Sequence, residues 1–299
     1  MPFRASFDCL WCGTAHTCRG PDDIEGWAQL CSDCVGKAGE NGFLRFRLRQ
    51  AITERGRAAV ATGPRGTAPA VPDVGDDELV AYYEARAPEY DDWYLRRGRY
   101  AHGPIHDAAW NAELDVAGRW LDALPIAGQI VELAAGTGWW STLLAGKGEL
   151  SLYDAAGAPL DRARDRLLAH GLRAHIHVRD AWAEPDRQVD ALFTGFWLSH
   201  VSRERLDSFV SLVRRWLRPG GTFAFIDSLP DPRSGAVDHP EPAVDRAVRR
   251  LADGREFEIV KVHHAPAELE AALRAAGFAA AEVTTTGRFF LLGSAVTSS

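Results

Sequence analysis

From about residue 128 onward, short apolar runs alternate with longer segments in which apolar residues recur every three to four positions. The runs near Ile130, Leu192 and Phe225 are apolar almost throughout, which is typical of strands covered on both faces. The segment 203–217 has the spacing of an amphipathic helix. This alternation predicts an α/β fold, a doubly wound and mostly parallel seven-stranded sheet with helices on both faces.

The remaining elements follow from the same pattern. Three helical segments are predicted before the first strand, at 77–87, 88–98 and 105–124. A polar insertion at 230–254 precedes a sixth strand, EFEIVKVHH at 256–264, which we expect in the same sheet. A last pair of strands within 280–295 closes the fold.

Composition divides the chain into three parts. Residues 1–60 hold all the cysteines and an Arg-rich segment, GFLRFRLRQAITERGR. Residues 61–77, ATGPRGTAPAVPDVGDD, are rich in Gly, Pro and Ala without periodicity, which predicts a linker. Residues 78–299 carry the alternating strands and helices and form the predicted main domain.

Charge and hydropathy restrict the classes of function. The formal net charge is -7, with nine Lys/Arg and seven Asp/Glu in residues 1–72, so residues 73–299 carry -9. An acidic main domain argues against a basic face that coats nucleic acid. The N-terminus lacks the apolar core of a signal peptide, and we find no apolar run long enough to cross a bilayer. We therefore expect a cytoplasmic protein with no membrane partner.

The cysteines have the spacing of a metal site. Two Cys-x2-Cys pairs, Cys9 with Cys12 and Cys31 with Cys34, are separated by 18 residues, and Cys18 is left over. Two such pairs complete a tetrahedron around zinc, and four thiolates leave no open coordination position. The pattern predicts a structural zinc module.

The stretch IVELAAGTGWW, at 130–140, predicts a buried strand, a glycine turn and a helix start. A phosphate-binding loop requires a Lys after its last glycine, and none follows Gly138. A dinucleotide site favours a third glycine three residues on, where Ser141 stands, so that alternative is weakened but stays open. The stretch resembles instead the first motif of class I S-adenosylmethionine (SAM) methyltransferases, an acidic residue followed by a hydrophobic residue, two further residues and G-x-G.

The resemblance covers about residues 78–293 and follows the family's order of motifs. Asp154 ends the second strand, Asp180 ends the third, FTGFWLSHV follows the fourth, and LRPGGTFAFID leads into the fifth. Residues 82–94 resemble the cap helices of the ubiquinone/menaquinone-biosynthesis-like branch, where a tyrosine closes over the cofactor. The resemblance implies a SAM site with Asp154 on the ribose hydroxyls and Asp180 on the adenine amine. The implied cofactor-binding residues are Tyr90, Glu132, Ala134, Gly136, Gly138, Asp154, Asp180, Ala181, Trp182 and Phe196.

The methyl acceptor is expected beyond the fourth strand. His200 is the candidate general base, because an imidazole with a pKa near 6.5 accepts a proton near neutral pH. His263, His264 and Asp227 are further candidates at strand ends, and tryptophans such as Trp93 can wall a flat acceptor.

Three functions remain open at this point. The sequence favours a SAM-dependent methyltransferase that acts on a small metabolite. An rRNA methyltransferase that binds RNA through its zinc module and a non-catalytic SAM-binding partner protein are the alternatives.

Overall fold

In the computed structural model, residues 3–38, 41, 43–45, 47–48, 50–52, 74–240 and 244–298 are described. The chain forms two compact units, Met1–Val71 and Pro72–Ser299. The predicted linker lies outside the described residues as far as residue 73, as do parts of the Arg-rich segment. Residues 74–77, at the end of the predicted linker, belong to the first described helix of the large unit, Val74–Arg86.

The small unit is built from short elements. The strands β1 (Ser6–Asp8) and β2 (Ala15–Thr17) pair antiparallel, and the helices α1 (Ile24–Ala28) and α2 (Ser32–Gly36) follow. A core of cysteines and apolar side chains holds them together, including the fully buried Leu30. Domains shorter than about 80 residues seldom gain more than a few kcal/mol of stability from their apolar core, and many natural ones add a disulfide or a metal ion.

The large unit alternates strands and helices. Its helices are α3 (Val74–Arg86), α4 (Tyr90–Leu95), α5 (Pro104–Ala123), α6 (Ser141–Ala145), α7 (Gly157–Ala169), α8 (Leu206–Trp216) and α9 (Pro266–Ala275). Its strands are β3 (Gly128–Leu133), β4 (Gly148–Asp154), β5 (His175–Val178), β6 (Val189–Gly195), β7 (Leu217–Ser228), β8 (Arg246–Arg250), β9 (Glu256–Val260), β10 (Phe278–Thr285) and β11 (Phe290–Thr297).

Seven of these strands form one twisted sheet in the order β10-β11-β7-β6-β3-β4-β5. The pairs from β7 to β5 are parallel, whereas β11 runs antiparallel to both β7 and β10. The prediction of a mostly parallel seven-stranded sheet with flanking helices is therefore confirmed. Successive strands are added on one side of β3 as far as β5 and on its other side from β6 onward. Because the strand order reverses at this point, the carboxyl ends of β3 and β6 border a crevice, where ligands bind in folds of this kind.

Helices cover both faces of this sheet. Along β7, Phe223 and Phe225 pack on one face with α8 and α9, whereas Ala224 and Ile226 pack on the other with α5 and α7. Each of these four side chains is at most 1% exposed. Burial on both faces explains why β7 has a continuous apolar sequence rather than an alternating one.

The predicted sixth strand does not join the large sheet. Residues Glu256–Val260 pair antiparallel with Arg246–Arg250, which lie within the predicted polar insertion, in a separate two-stranded sheet. The sixth and seventh strands of the large sheet are β11 and β10, which form an antiparallel pair. The expectation for 256–264 was wrong because the apolar period identifies a strand but not its pairing partner.

The helical cap, which we define as α3 and α4, packs against this hairpin. Leu79 and Tyr82 of α3 bury their side chains with Ala247 of β8 and Ile259 of β9. The cap is also tied to the loop after β7, since the indole N–H of Trp93 donates to the Ser234 carbonyl at 2.7 Å. The cap and the hairpin thus enclose the carboxyl end of the sheet. Within the described parts of the chain, no helix has the length and apolar character required to cross a membrane.

Gly293 on β11 provides a test of the sheet packing. A Cβ atom at Gly293 would lie 2.1 Å from the ring of Phe225, which is fully buried on the neighbouring strand. We expect Gly293→Ala to lower the free energy of unfolding by roughly 1–3 kcal/mol, because the ring has no space to withdraw. Gly118→Ala is the matched control: it lies within α5, where the nearest atom to an added Cβ is 3.9 Å away. It should stabilise by up to about 1 kcal/mol through helix propensity. Denaturant unfolding of both variants measures the difference, and equal stabilities would contradict the packing argument.

Candidate active site and cysteine cluster

The turn after β3 has an unusual backbone. Ala134, Gly136 and Gly138 all have positive φ, at 52°, 54° and 71°. This conformation suits glycine and is strained for alanine, and strained backbone at a strand end is often associated with function. The Ala135 N–H donates to the Tyr153 carbonyl of β4 at 3.1 Å, which fixes the turn against the neighbouring strand.

Each glycine in the turn permits a close approach. A Cβ at Gly136 would lie 3.0 Å from the hydroxyl oxygen of Tyr90 in α4. A Cβ at Gly138 would lie 2.8 Å from the Cβ of Ala163 in α7. Gly136 therefore admits the cap, and Gly138 admits the helix that follows β4.

Asp154 at the end of β4 holds the turn by hydrogen bonds. One carboxylate oxygen accepts from the Gly136 N–H and the other from the Ala156 N–H, both at 2.8 Å. Burial nevertheless raises the pKa of Asp154 to about 6. A carboxylate offers about four lone-pair sites, so two further hydrogen bonds remain available at this position.

Glu132 lies beneath the turn rather than on its surface. Its side chain is 1% exposed and accepts a hydrogen bond from the Ser141 hydroxyl at 2.6 Å. Burial raises the pKa of this carboxyl to about 8, even though the Ser141 hydrogen bond acts in the opposite direction. Glu132 and Gly138 do not line the cavity described next, unlike the other eight cofactor-binding residues implied by the resemblance.

The first of two cavities lies over this turn. This turn cavity, of about 590 Å³, is bounded by the ends of β3, β4, β5 and β6 and by the cap. Its wall combines apolar and aromatic side chains with a few carboxylates, which is typical of a small-molecule site. The structure brings together on its wall Tyr90, Ala134, Gly136, Asp154, Asp180, Ala181, Trp182, Phe196 and His200.

A second and larger cavity lies between the cap, the β8–β9 hairpin and the loop after β7. This cap cavity, of about 1020 Å³, shares Tyr83, Tyr90, Phe196 and His200 with the turn cavity. Phe196 has a positive φ of 61° and is only 8% exposed. The two cavities thus meet at these four side chains.

His200 stands at this boundary as a buried, neutral imidazole. Its Nδ1 lies 2.8 Å from the Val260 carbonyl, and its Nε2 lies 2.7 Å from the Tyr83 hydroxyl. Since a carbonyl can only accept, Nδ1 carries the proton, and Nε2 accepts from Tyr83. Burial, reinforced by the charge of Lys261, lowers the pKa of His200 to about 3. The expected pKa near 6.5 is therefore wrong for this environment.

The other candidate residues at strand ends have different surroundings. His263 lines the cap cavity, and burial lowers its pKa to about 4. His264 is buried outside both cavities, with its Nε2 3.0 Å from the Val201 carbonyl. Asp227 is buried and accepts from the backbone N–H groups of Ser199 and Ser228 at 2.9 and 2.7 Å.

Sequence reasoning missed several residues of the cap cavity, notably Tyr83, Arg86, Arg249 and Lys261. Lys261 could have been recognised as a candidate from the sequence, because it is a charged residue within the otherwise apolar stretch IVKV. Arg249 could not be recognised in this way, because it lies in the segment that was predicted to be a polar insertion.

The four paired cysteines converge in the small unit. Cys9 and Cys12 flank the turn of the β1–β2 hairpin, and Cys31 and Cys34 lie at the start of α2. Their sulfur atoms all lie within 4.8 Å of one another, and the Cys12 and Cys31 sulfurs are 3.6 Å apart. None forms a disulfide. Cys18 is buried in the same core but lies outside this group.

Comparison with known proteins defines the class of this site. Residues 130–221 match the family model described as "Methyltransferase domain". A solved structure of DhpI in complex with SAH (S-adenosylhomocysteine) is 31% identical, with 76% of this chain and 99% of that chain covered and a TM-score of 0.59. The DhpI-SAM-HEP complex is 32% identical, with 75% and 99% covered and a TM-score of 0.60. The chain belongs to the class I SAM-dependent methyltransferases, and it is an enzyme of that class.

A curated relative supports the same class. The ubiquinone/menaquinone biosynthesis C-methyltransferase UbiE of Vibrio vulnificus is 28% identical over 167 residues. That match covers 50% of this chain, which spans 64% of the length of the relative.

The raised pKa of Glu132 predicts how stability depends on pH. The folded protein holds a proton on Glu132 up to about pH 8, whereas the unfolded chain releases it near the ordinary value of 4.5. The stability that this proton contributes is fully present below pH 4.5 and is lost as the pH rises towards 8. Glu132→Gln removes the titration, so the variant should gain stability relative to wild type between pH 5 and pH 8.5. Thermal unfolding at both pH values measures this difference. Glu282→Gln, on the exposed edge strand β10, is the control. Parallel curves for wild type and Glu132→Gln would contradict the assignment.

Proposed function

We propose that this methyltransferase transfers the methyl group of SAM to a small molecule held in the cap cavity. The observation that carries this proposal is the meeting of the two cavities at Tyr83, Tyr90, Phe196 and His200. Methyl transfer requires the donor and the acceptor to be aligned in contact and shielded from water. Two partly enclosed spaces with a common boundary provide that alignment for two small ligands.

In this proposal the turn cavity holds the cofactor. The lone pairs of Asp154 that remain free accept from the ribose hydroxyls, and Asp180 accepts from the adenine amine. The positive φ values at Ala134 and Gly136 let the backbone approach the ligand. Tyr90, Ala181, Trp182 and Phe196 form the walls. When bound, SAM supplies an electrophilic methyl group on its sulfonium.

Two residues implied by the family resemblance act through the turn instead. Glu132 supports the turn from below through Ser141, and Gly138 allows its packing on Ala163. The DhpI structures support the use of both spaces, since one is described as a complex with SAM and HEP together.

We assign His200 a positioning role. As a general base it would need to accept a proton near neutral pH, and a pKa of about 3 makes it a weak acceptor. Its Nε2 instead accepts from the Tyr83 hydroxyl and so fixes that ring at the boundary between the cavities. An acceptor that is already deprotonated requires no base.

Removal of Asp154 tests the cofactor site. Asp154→Ala should weaken SAM binding by roughly 1–3 kcal/mol, about 5- to 150-fold, because two ribose hydroxyls lose their acceptor. Isothermal titration calorimetry measures the affinity. Asp161→Ala, an exposed residue of α7, is the matched control and should bind SAM as wild type does. Unchanged affinity in Asp154→Ala would remove this residue from the site.

We also propose that Cys9, Cys12, Cys31 and Cys34 hold one structural zinc ion. In a tetrahedral site with zinc–sulfur bonds of about 2.3 Å, the sulfurs lie about 3.8 Å apart. The observed upper limit of 4.8 Å and the 3.6 Å separation of Cys12 from Cys31 fit this geometry. Zinc would supply the stability that the small core of this unit lacks.

Metal analysis tests this second site. The purified wild-type chain should carry about one zinc ion, and Cys31→Ser should lose it because only three thiolates remain. Cys18→Ser should retain zinc, since Cys18 lies outside the group of four. Both variants should still bind SAM, because the cofactor residues belong to the other unit. Zinc-free wild-type protein, purified under reducing conditions, would contradict the proposal.

A further inference from the structure

Cationic side chains dominate the charge of the cap cavity. Arg86, Arg249 and Lys261 all line it, and no carboxylate of the described residues forms an ion pair with any of them. Most arginines elsewhere in the large unit are paired, as Arg203 is with Asp245. Unpaired cations in a partly enclosed space are costly unless a ligand supplies the opposite charge.

Arg86 is the most deeply buried of the three. Its side chain is 8% exposed, and its Nε has no hydrogen-bond partner. The guanidinium lies 4.6 Å from the ring centre of Tyr90 and within 5.8 Å of the rings of Tyr82, Tyr83 and Tyr100. These rings hold the guanidinium in place by cation–π contacts, but they offer it no anionic acceptor.

Lys261 reaches the cavity from the segment that follows β9. Its ammonium donates to the hydroxyls of Ser199 and Ser228 at 2.8 and 2.6 Å. An ammonium has three donors, so one N–H remains available to a ligand. Burial lowers the pKa of Lys261 to about 8, which leaves it mainly cationic at neutral pH.

The acidic groups nearby do not cancel this charge. Asp231 lines the cavity, but its carboxylate is bound by Arg288 at 2.6 Å. Asp227 acts on Lys261 through space and offsets one of the three charges. Among the residues that the structure describes, the cavity therefore keeps an excess of positive charge.

The pKa values of three histidines that line the cap cavity are lowered. Burial is the main cause that lowers the pKa of His200, His239 and His263, and a nearby cation adds to it in each case. That cation is Lys261 for His200 and His263, and Arg249 for His239. The neutral state of these rings is what a positive environment produces.

We propose that the methyl acceptor carries an oxyanion, a carboxylate or a phosphoryl group, bound by Arg86, Arg249 and Lys261 in the cap cavity. This inference rests on the proposed function, because it specifies the acceptor of that same site. Guanidinium groups match the planar geometry of carboxylates and the oxygens of phosphoryl groups. The Tyr100 hydroxyl, also buried and without a partner, adds a neutral donor.

Simple probes test the charge requirement. Acetate, acetamide and inorganic phosphate are titrated by calorimetry into the full chain saturated with SAH. Acetamide matches acetate in shape but lacks its charge. We expect at least one oxyanion to bind in the millimolar range or tighter and acetamide to bind at least tenfold more weakly. The comparison of acetate with phosphate distinguishes a carboxylate site from a phosphoryl site.

Variants locate the binding. Arg86→Gln should weaken binding of the preferred oxyanion by about ten- to a hundredfold, because one charge-assisted partner is lost. Arg249→Gln and Lys261→Met should act in the same direction and cover the case in which Arg86→Gln does not fold. Arg162→Gln, an exposed arginine of α7, is the matched control and should bind as wild type does.

Different results would contradict the oxyanion site and the cofactor site. Wild-type protein that binds SAH but binds neither oxyanion up to about 10 mM overturns the oxyanion site and leaves the methyltransferase proposal intact. Equal binding of acetate and acetamide, or oxyanion binding unchanged in all three cavity variants, overturns it too. Wild-type protein that does not bind SAH contradicts the cofactor site on which the proposed function depends.

Discussion

The close approach of the Tyr90 ring to the backbone of Gly136 joins the helical cap to the sheet. It requires the absence of a Cβ at Gly136, whose N–H is in turn held by the Asp154 carboxylate. Because Tyr90 forms part of the wall of both cavities, its position defines where one space ends and the other begins. The cap is held on the turn by this contact together with the hydrogen bond that the Thr137 hydroxyl donates to Asp91 of α4 at 2.6 Å, and a side chain at Gly136 would crowd the Tyr90 hydroxyl.

Electrostatics divides the site into two environments. Around the turn, burial raises the pKa of the carboxyls of Glu132 and Asp154. Around the cap cavity, burial and neighbouring cations keep imidazoles such as His200 neutral. Desolvation thus favours the neutral form in both environments, because it raises the pKa of carboxyls and lowers the pKa of imidazoles.

The large sheet could be predicted from the sequence because strands that are buried on both faces, such as β7, are apolar at almost every position. The turn at 134–138 and the acidic strand ends were also recognisable, because local motifs specify local backbone. The β8–β9 hairpin was not predicted, because the spacing of apolar residues indicates a strand but does not indicate which other strand it pairs with. For the same reason Arg86, Arg249 and Lys261, distant from one another in the chain, gave no sign that they share a cavity. The low pKa of His200 likewise depends on burial that no sequence pattern reports.

The β8–β9 hairpin forms a sheet of its own, and its strands share no ladder with the seven-stranded sheet. Substitutions on its cavity-facing side therefore leave the hydrogen bonds of the central sheet and the turn above it undisturbed. This separation makes the hairpin a region in which acceptor preference can change during evolution while cofactor binding is retained. A change in acceptor specificity would therefore require substitutions at only a few residues of the β8–β9 hairpin.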